Sequence, residues 1–133
     1  MTDLDQARNL LGMAEKDLRA LQGMQDVQVF SSEVFGFHVQ QAVEKTLKAW
    51  LCCLGIAFPR IHDLDELAAM LEKAGRPIPD SFAALLEFTD FAVTFRYDAF
   101  PDMDVEIDRG DVIQRVAGLI GYVRGILERV CQR

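Results

Sequence analysis

Leu4, Ala7, Leu10, Leu11, Ala14, Leu18 and Leu21 recur at steps of three and four residues, the spacing that lines one face of an α-helix. Thr2 or Asp3 can cap this helix, and Gly23 loosens the pattern into a loop over 22–30. Ser31 or Ser32 opens a second helix that runs to about Leu54 and stops at Gly55. After the connector Phe58-Pro59-Arg60, Asp63 starts a third helix, and Glu66 completes a capping box. Its stripe is Leu64, Leu67, Ala68 and Leu71, and Gly75 closes it. Pro77 and Pro79 form a rigid link to a fourth helix capped by Asp80. Phe82, Leu85, Leu86, Phe88 or Thr89, Ala92 and Val93 give that helix its inner side, and it runs out between Phe95 and Asp98. A loop around Pro101 covers 99–107. The fifth helix starts at Asp108, with Asp111 near the positive end of its dipole and Arg129 and Arg133 near the negative end. Val112, Ile113, Val116, Ala117, Ile120, Val123, Leu127 and Val130 line it. No stretch alternates apolar and polar residues for long enough to make a strand. The pattern predicts one all-α domain over residues 1–133, an antiparallel up-and-down bundle of four long helices and one short.

The second helix divides sharply into two faces. At about 100° per residue, Val39, Ala42, Val43, Thr46, Leu47 and Trp50 gather on one side. Gln40, Gln41, Glu44, Lys45 and Lys48 gather on the other, within an arc of roughly 140°. Leu51 falls back into that arc, so the end of the helix is apolar nearly all round. Either the rest of the bundle or a second subunit must cover it. The arc itself has two readings. As a solvated face it gains a Glu44–Lys48 pair at the favoured spacing, about 0.2–0.5 kcal/mol. As a site it offers two ammonium groups to an anion.

Composition narrows the choice. Half of the 133 residues are hydrophobic, enough for one core. No apolar run approaches the length of a membrane span, and the polar, acidic start MTDLDQARN does not read as a signal peptide. Cys52, Cys53 and Cys131 form no disulfide framework and read as reduced thiols, so a cytoplasmic setting is expected. The net charge of −7 argues against a general nucleic-acid track. Most acids fall within 61–108, whereas 45–60 holds Lys45, Lys48 and Arg60. Such a small basic spot suits one compact anion. With two histidines, His38 and His62, no cysteine near either, and no glycine-rich phosphate loop, neither metal nor cofactor is expected.

FGFHVQQAVEKTLKAWLCCLGI resembles the signature helix of HEPN domains. PRIHDLDELAAML is similar to a second segment of that family, and FTDFAVTFRYDAF to a third that usually closes on Arg-Tyr-Pro. Here Asp98 stands in place of that proline. The three segments keep the family's order over roughly residues 5–130. The resemblance implies a helical bundle that pairs as a homodimer in a prokaryotic cytoplasm. It also implies a partner, a minimal nucleotidyltransferase, in a toxin–antitoxin-like or stress-related pair, and a possible nucleotide or RNA ligand. Many relatives are ribonucleases that carry Arg, four to six residues, then His. Arg60 is too close to His62, Arg19 too far from His38, and no histidine follows Arg96. The nuclease motif is therefore missing, which favours a non-catalytic protein. Lys45, Lys48 and Arg96 are then the candidate phosphate contacts, with Gln41 and Glu44 to orient them or meet ribose hydroxyls, and Tyr97 beside them. A metal-independent ribonuclease with a degenerate site built on Arg96 and a purely structural dimerisation module are the alternatives.

Overall fold

The computed structural model describes residues 2–91 and 106–132, and among them the regular structure is entirely helical. Helix α1 spans Asp3–Gly23. Thr2 Oγ1 accepts the Asp5 amide at 3.1 Å, and the Asp5 carboxylate accepts the Thr2 amide at 3.3 Å. These bonds close a capping box, and the Thr2 hydroxyl, which donates to the Asp5 carboxylate at 2.8 Å, together with the Thr2 amide holds the Asp5 carboxyl below its ordinary pKa. Helix α2 spans Ser32–Cys53, with Ser31 as its cap. Gly55 follows it at φ 71°, a left-handed turn that glycine makes without steric cost. In helix α3, Leu64–Lys73, Asp63 Oδ1 accepts the amides of Asp65 and Glu66, which is the Asp63 half of the expected box. Helix α5 spans Arg109–Cys131, and its cap Asp108 accepts the Asp111 amide at 3.1 Å.

The segment between α3 and α5 departs from the pattern of one long helix. It starts as a single α-turn, α4, Asp80–Ala83, with Pro79 rather than Asp80 at the cap position and no side-chain cap. It continues as a 3₁₀-helix over Ala84–Asp90. The reason lies in its apolar spacing. Phe82, Leu85, Phe88 and Phe91 recur every three residues, and three residues per turn is the 3₁₀ period, which eclipses i and i+3. Winding as 3₁₀ keeps all four on one line, whereas an α-helix would swing the stripe round. The continuation expected to Phe95–Asp98 lies outside the described residues.

Side-chain pairs fix the helix directions. Arg8 meets Cys131, Glu15 meets Arg124, and the Met24 carbonyl meets Arg109. Numbers rise along α1 as they fall along α5, so these two are antiparallel. Phe35 packs against Arg109 and Trp50 against Tyr122, so α2 and α5 run parallel. Helix α1 therefore runs against both, and the core fills the space between them with Leu11, Phe35, Leu47, Trp50, Leu119 and Val123. Leu51 has no exposed surface, and Cys52 and Cys53 are buried. The chain's own helices thus cover the apolar end of α2.

Gly36 on α2 lies flat against the Phe91 ring, and an added Cβ would collide with it. Arg109 is buried, donates to the Met24 carbonyl at 2.6 Å and the Phe30 carbonyl at 2.7 Å, and stacks on the Phe35 ring. It ties both ends of the α1–α2 loop to the start of α5. Helix α5 also carries glycine at 118, 121 and 125, each costing about 1 kcal/mol of helix propensity relative to alanine.

Candidate functional site

The polar arc of α2 is not an open face. It splits into a ridge and a seam. Gln40, Glu44 and Lys48 follow one another at four-residue steps and form the ridge, over which the connector from Phe58 to His62 runs. Gln40 Nε2 donates to Glu44 Oε1 at 3.0 Å and to the His62 carbonyl at 2.9 Å. Lys48 Nζ donates to Glu44 Oε2 at 3.2 Å and sits 5.6 Å from the centre of the Phe58 ring. His62 Nδ1 lies 2.9 Å from Glu44 Oε1. Glu44 is thus the hub of the network, with 7% of its side chain exposed. A carboxylate so withdrawn from water holds its charge at a cost unless donors surround it, and here three do.

The seam faces α1. Lys45 Nζ donates to Asp17 Oδ2 at 2.7 Å, and both side chains are largely covered. His38 Nδ1 lies 3.5 Å from the other Asp17 oxygen. Gln41 Nε2 donates to Gln40 Oε1 at 2.6 Å and joins seam to ridge. The formal charges of Asp17, Glu44, Lys45 and Lys48 cancel, so the two lysines of the basic spot are neutralised in the fold, which leaves Arg60 exposed beside them. Lys45 and Lys48 are each committed to a carboxylate. Arg96 and Tyr97, the other two candidates, lie outside the described residues.

Four members of this network were not among the candidates. Gln40 was visible in the arc but had no assigned role. His62 looked like a residue next to a cap. Asp17 carried a signal that went unused, an acid set within the apolar stripe of α1 between Ala14 and Leu21. His38 sat at the edge of the apolar face, and nothing in the sequence pairs it with α1.

Cavities lie elsewhere. One of about 280 Å³ opens between Arg8, Arg124, Leu127 and Cys131. Another of about 260 Å³ opens between Leu85, Phe88, Ile107 and Val112. Neither is lined by the ridge. Among the described residues no cluster of histidine, cysteine and acid side chains could hold a metal ion, and no helix is long and apolar enough to cross a membrane. Burial pushes the Cys53 thiol up to about 11 and raises that of Cys52. Thiols held protonated are poor nucleophiles.

Over residues 7–131 the chain matches a family model described as HEPN domain. No curated protein and no solved structure matches it.

Proposed function

The chain belongs to the HEPN domain family, and on that premise we propose that it works by binding and not by catalysis, as the partner of a minimal nucleotidyltransferase in a toxin–antitoxin-like or stress-related pair. One observation carries this reading. Both histidines sit beside carboxylates inside the α2 network, His62 at Glu44 and His38 at Asp17, and neither follows an arginine at the nuclease spacing. Metal-free RNA cleavage needs one group to take the 2′-hydroxyl proton and another to stabilise the phosphorane. Arg96 could supply the second. No histidine is spaced along the chain to supply the first.

A nucleotide or RNA phosphate is the small ligand this face would take, through Lys45 and Lys48, with Gln41 and Glu44 meeting the ribose and Arg96 and Tyr97 completing the site. Binding must then draw Lys45 from Asp17 and Lys48 from Glu44. That exchange ranks a protein partner above a nucleotide as the main occupant. The test mixes the pure chain with labelled RNA and, separately, with a minimal nucleotidyltransferase. Intact RNA and a stable complex are expected. RNA cleavage that disappears in Arg96→Ala would overturn the reading in favour of a degenerate ribonuclease.

A further inference from the structure

The 3₁₀-helix leaves a groove against the amino end of α5. At three residues per turn, Leu85 and Phe88 share one row, and Ala84 and Glu87 the next. Ile107, just ahead of the α5 cap, and Val112, in the first turn of α5, join them around the cavity of about 260 Å³. Leu85 and Val112 are buried, while Phe88 and Ile107 are only half-covered. The floor is therefore apolar and still open to contact from outside.

The rim has the opposite character. Glu87, Glu106, Asp108 and Asp111 stand exposed around it, with Arg115 beside them. Four carboxylates against one guanidinium leave a formal excess of three negative charges. Arg115 is also engaged already. Its Nε donates to Asp111 Oδ2 at 2.8 Å, and its Nη1 donates to the Ser81 carbonyl at 2.6 Å. Glu87 and Glu106 make no ion pair among the described residues. The amino end of α5 contributes about half a positive charge, too little to cancel the excess.

These features select the occupant. The charge repels a phosphate backbone. Among the described residues the acids do not converge as metal ligands would, so the rim suits cations set apart from one another. A pocket that encloses a drug-sized ligand measures roughly 300–1,000 Å³. This cavity is smaller and matches one or two side chains. An apolar side chain on the floor, with an arginine or lysine to either side, meets floor and rim together. The stems of those long side chains would lie on the half-covered Phe88 and Ile107.

We infer that this groove docks a short segment of another protein, in which an apolar side chain lies between arginines or lysines. The groove is separate from the α2 network, and the inference does not rest on the function proposed above. It is tested by fluorescence anisotropy of the full chain with a short labelled peptide in which leucines alternate with arginines. Saturable binding is expected, with a dissociation constant on the order of 10 μM. Replacing the peptide's leucines by serine keeps its charge and is expected to weaken binding about tenfold or more. The double variant Glu87→Lys, Glu106→Lys should weaken it about tenfold or more as well. Both residues are exposed, so the fold should survive, which circular dichroism checks. Glu72→Lys with Glu128→Lys changes the net charge equally at exposed positions outside the groove and should weaken binding less than about threefold. The absence of saturable binding, equal losses in the two double variants, or a serine peptide that binds as well as the leucine one would each overturn the inference.

Discussion

Glu44 shows how far one side chain can depart from what its neighbours in sequence suggest. Spaced four residues before Lys48 on a polar arc, it reads as half of a surface pair. In the fold it is the buried acceptor for Gln40, Lys48 and His62. Glu44→Ala leaves the Lys48 ammonium, 13% exposed, without its carboxylate, and is expected to cost about 2–3 kcal/mol. Urea denaturation reads this directly. A loss below about 0.5 kcal/mol, ordinary for exposed pairs, would mean the ridge is solvated after all. What hid the role was partner identity. The ridge is made by the connector that follows α2, and helical periodicity says nothing about where a connector lies. Cys53 gives a second test. Its thiol ordinarily titrates at 9 but here near 11, so the folded state holds a proton that the unfolded chain gives up between those values. Stability should therefore be full below pH 9 and fall as pH rises toward 11. Cys53→Ala should flatten that fall. Thiol labelling of the native protein should modify the exposed Cys131 first, with Cys52 and Cys53 following on unfolding.

The helices were legible to different degrees, and the reasons are physical. Helices α1, α2, α3 and α5 have caps at Thr2, Ser31, Asp63 and Asp108 and apolar stripes of helical period, and their starts fall where those signals put them. The segment from Asp80 to Asp90 is different because its stripe has a period of three, which helix templates read as a slightly irregular α-helix. The family resemblance, resting on three ordered segments, gave the family correctly. Asp17, His38 and Arg109 were not legible as partners, since each contact joins residues distant in sequence. The meeting of α2 with Phe91, at the end of the 3₁₀ segment, is the tightest of these fits. Gly36→Ala must push the ring aside and is expected to cost about 1–3 kcal/mol. Combining it with Phe91→Leu should cost less than the two single changes together, by about 0.5 kcal/mol or more, as contacting residues do. Strict additivity in a double-mutant cycle would mean that the ring and the glycine are not in contact.

At the scale of the whole molecule, charge and topology set different properties. A net charge of −7 with the α2 lysines internally paired predicts no retention on heparin at physiological salt, because polyanion affinity scales with free Lys and Arg. Tight retention would show an unpaired basic surface. Topology makes α1 and α2 neighbours across a short loop, while α5 must return to them from far along the chain. Arg109 marks that return, since its two carbonyl partners lie 79 and 85 residues away. Arg109→Lys keeps the charge but loses the fork that grips both carbonyls, and is expected to cost about 1.5–3 kcal/mol. Stopped-flow kinetics should assign that loss. Contacts that close long spans form late on the way to the native state. The variant should thus refold at nearly the wild-type rate and unfold about tenfold faster or more. How long a folded copy persists before it opens, and meets a protease, would then rest on a buried guanidinium that clasps a loop at the opposite end of the sequence.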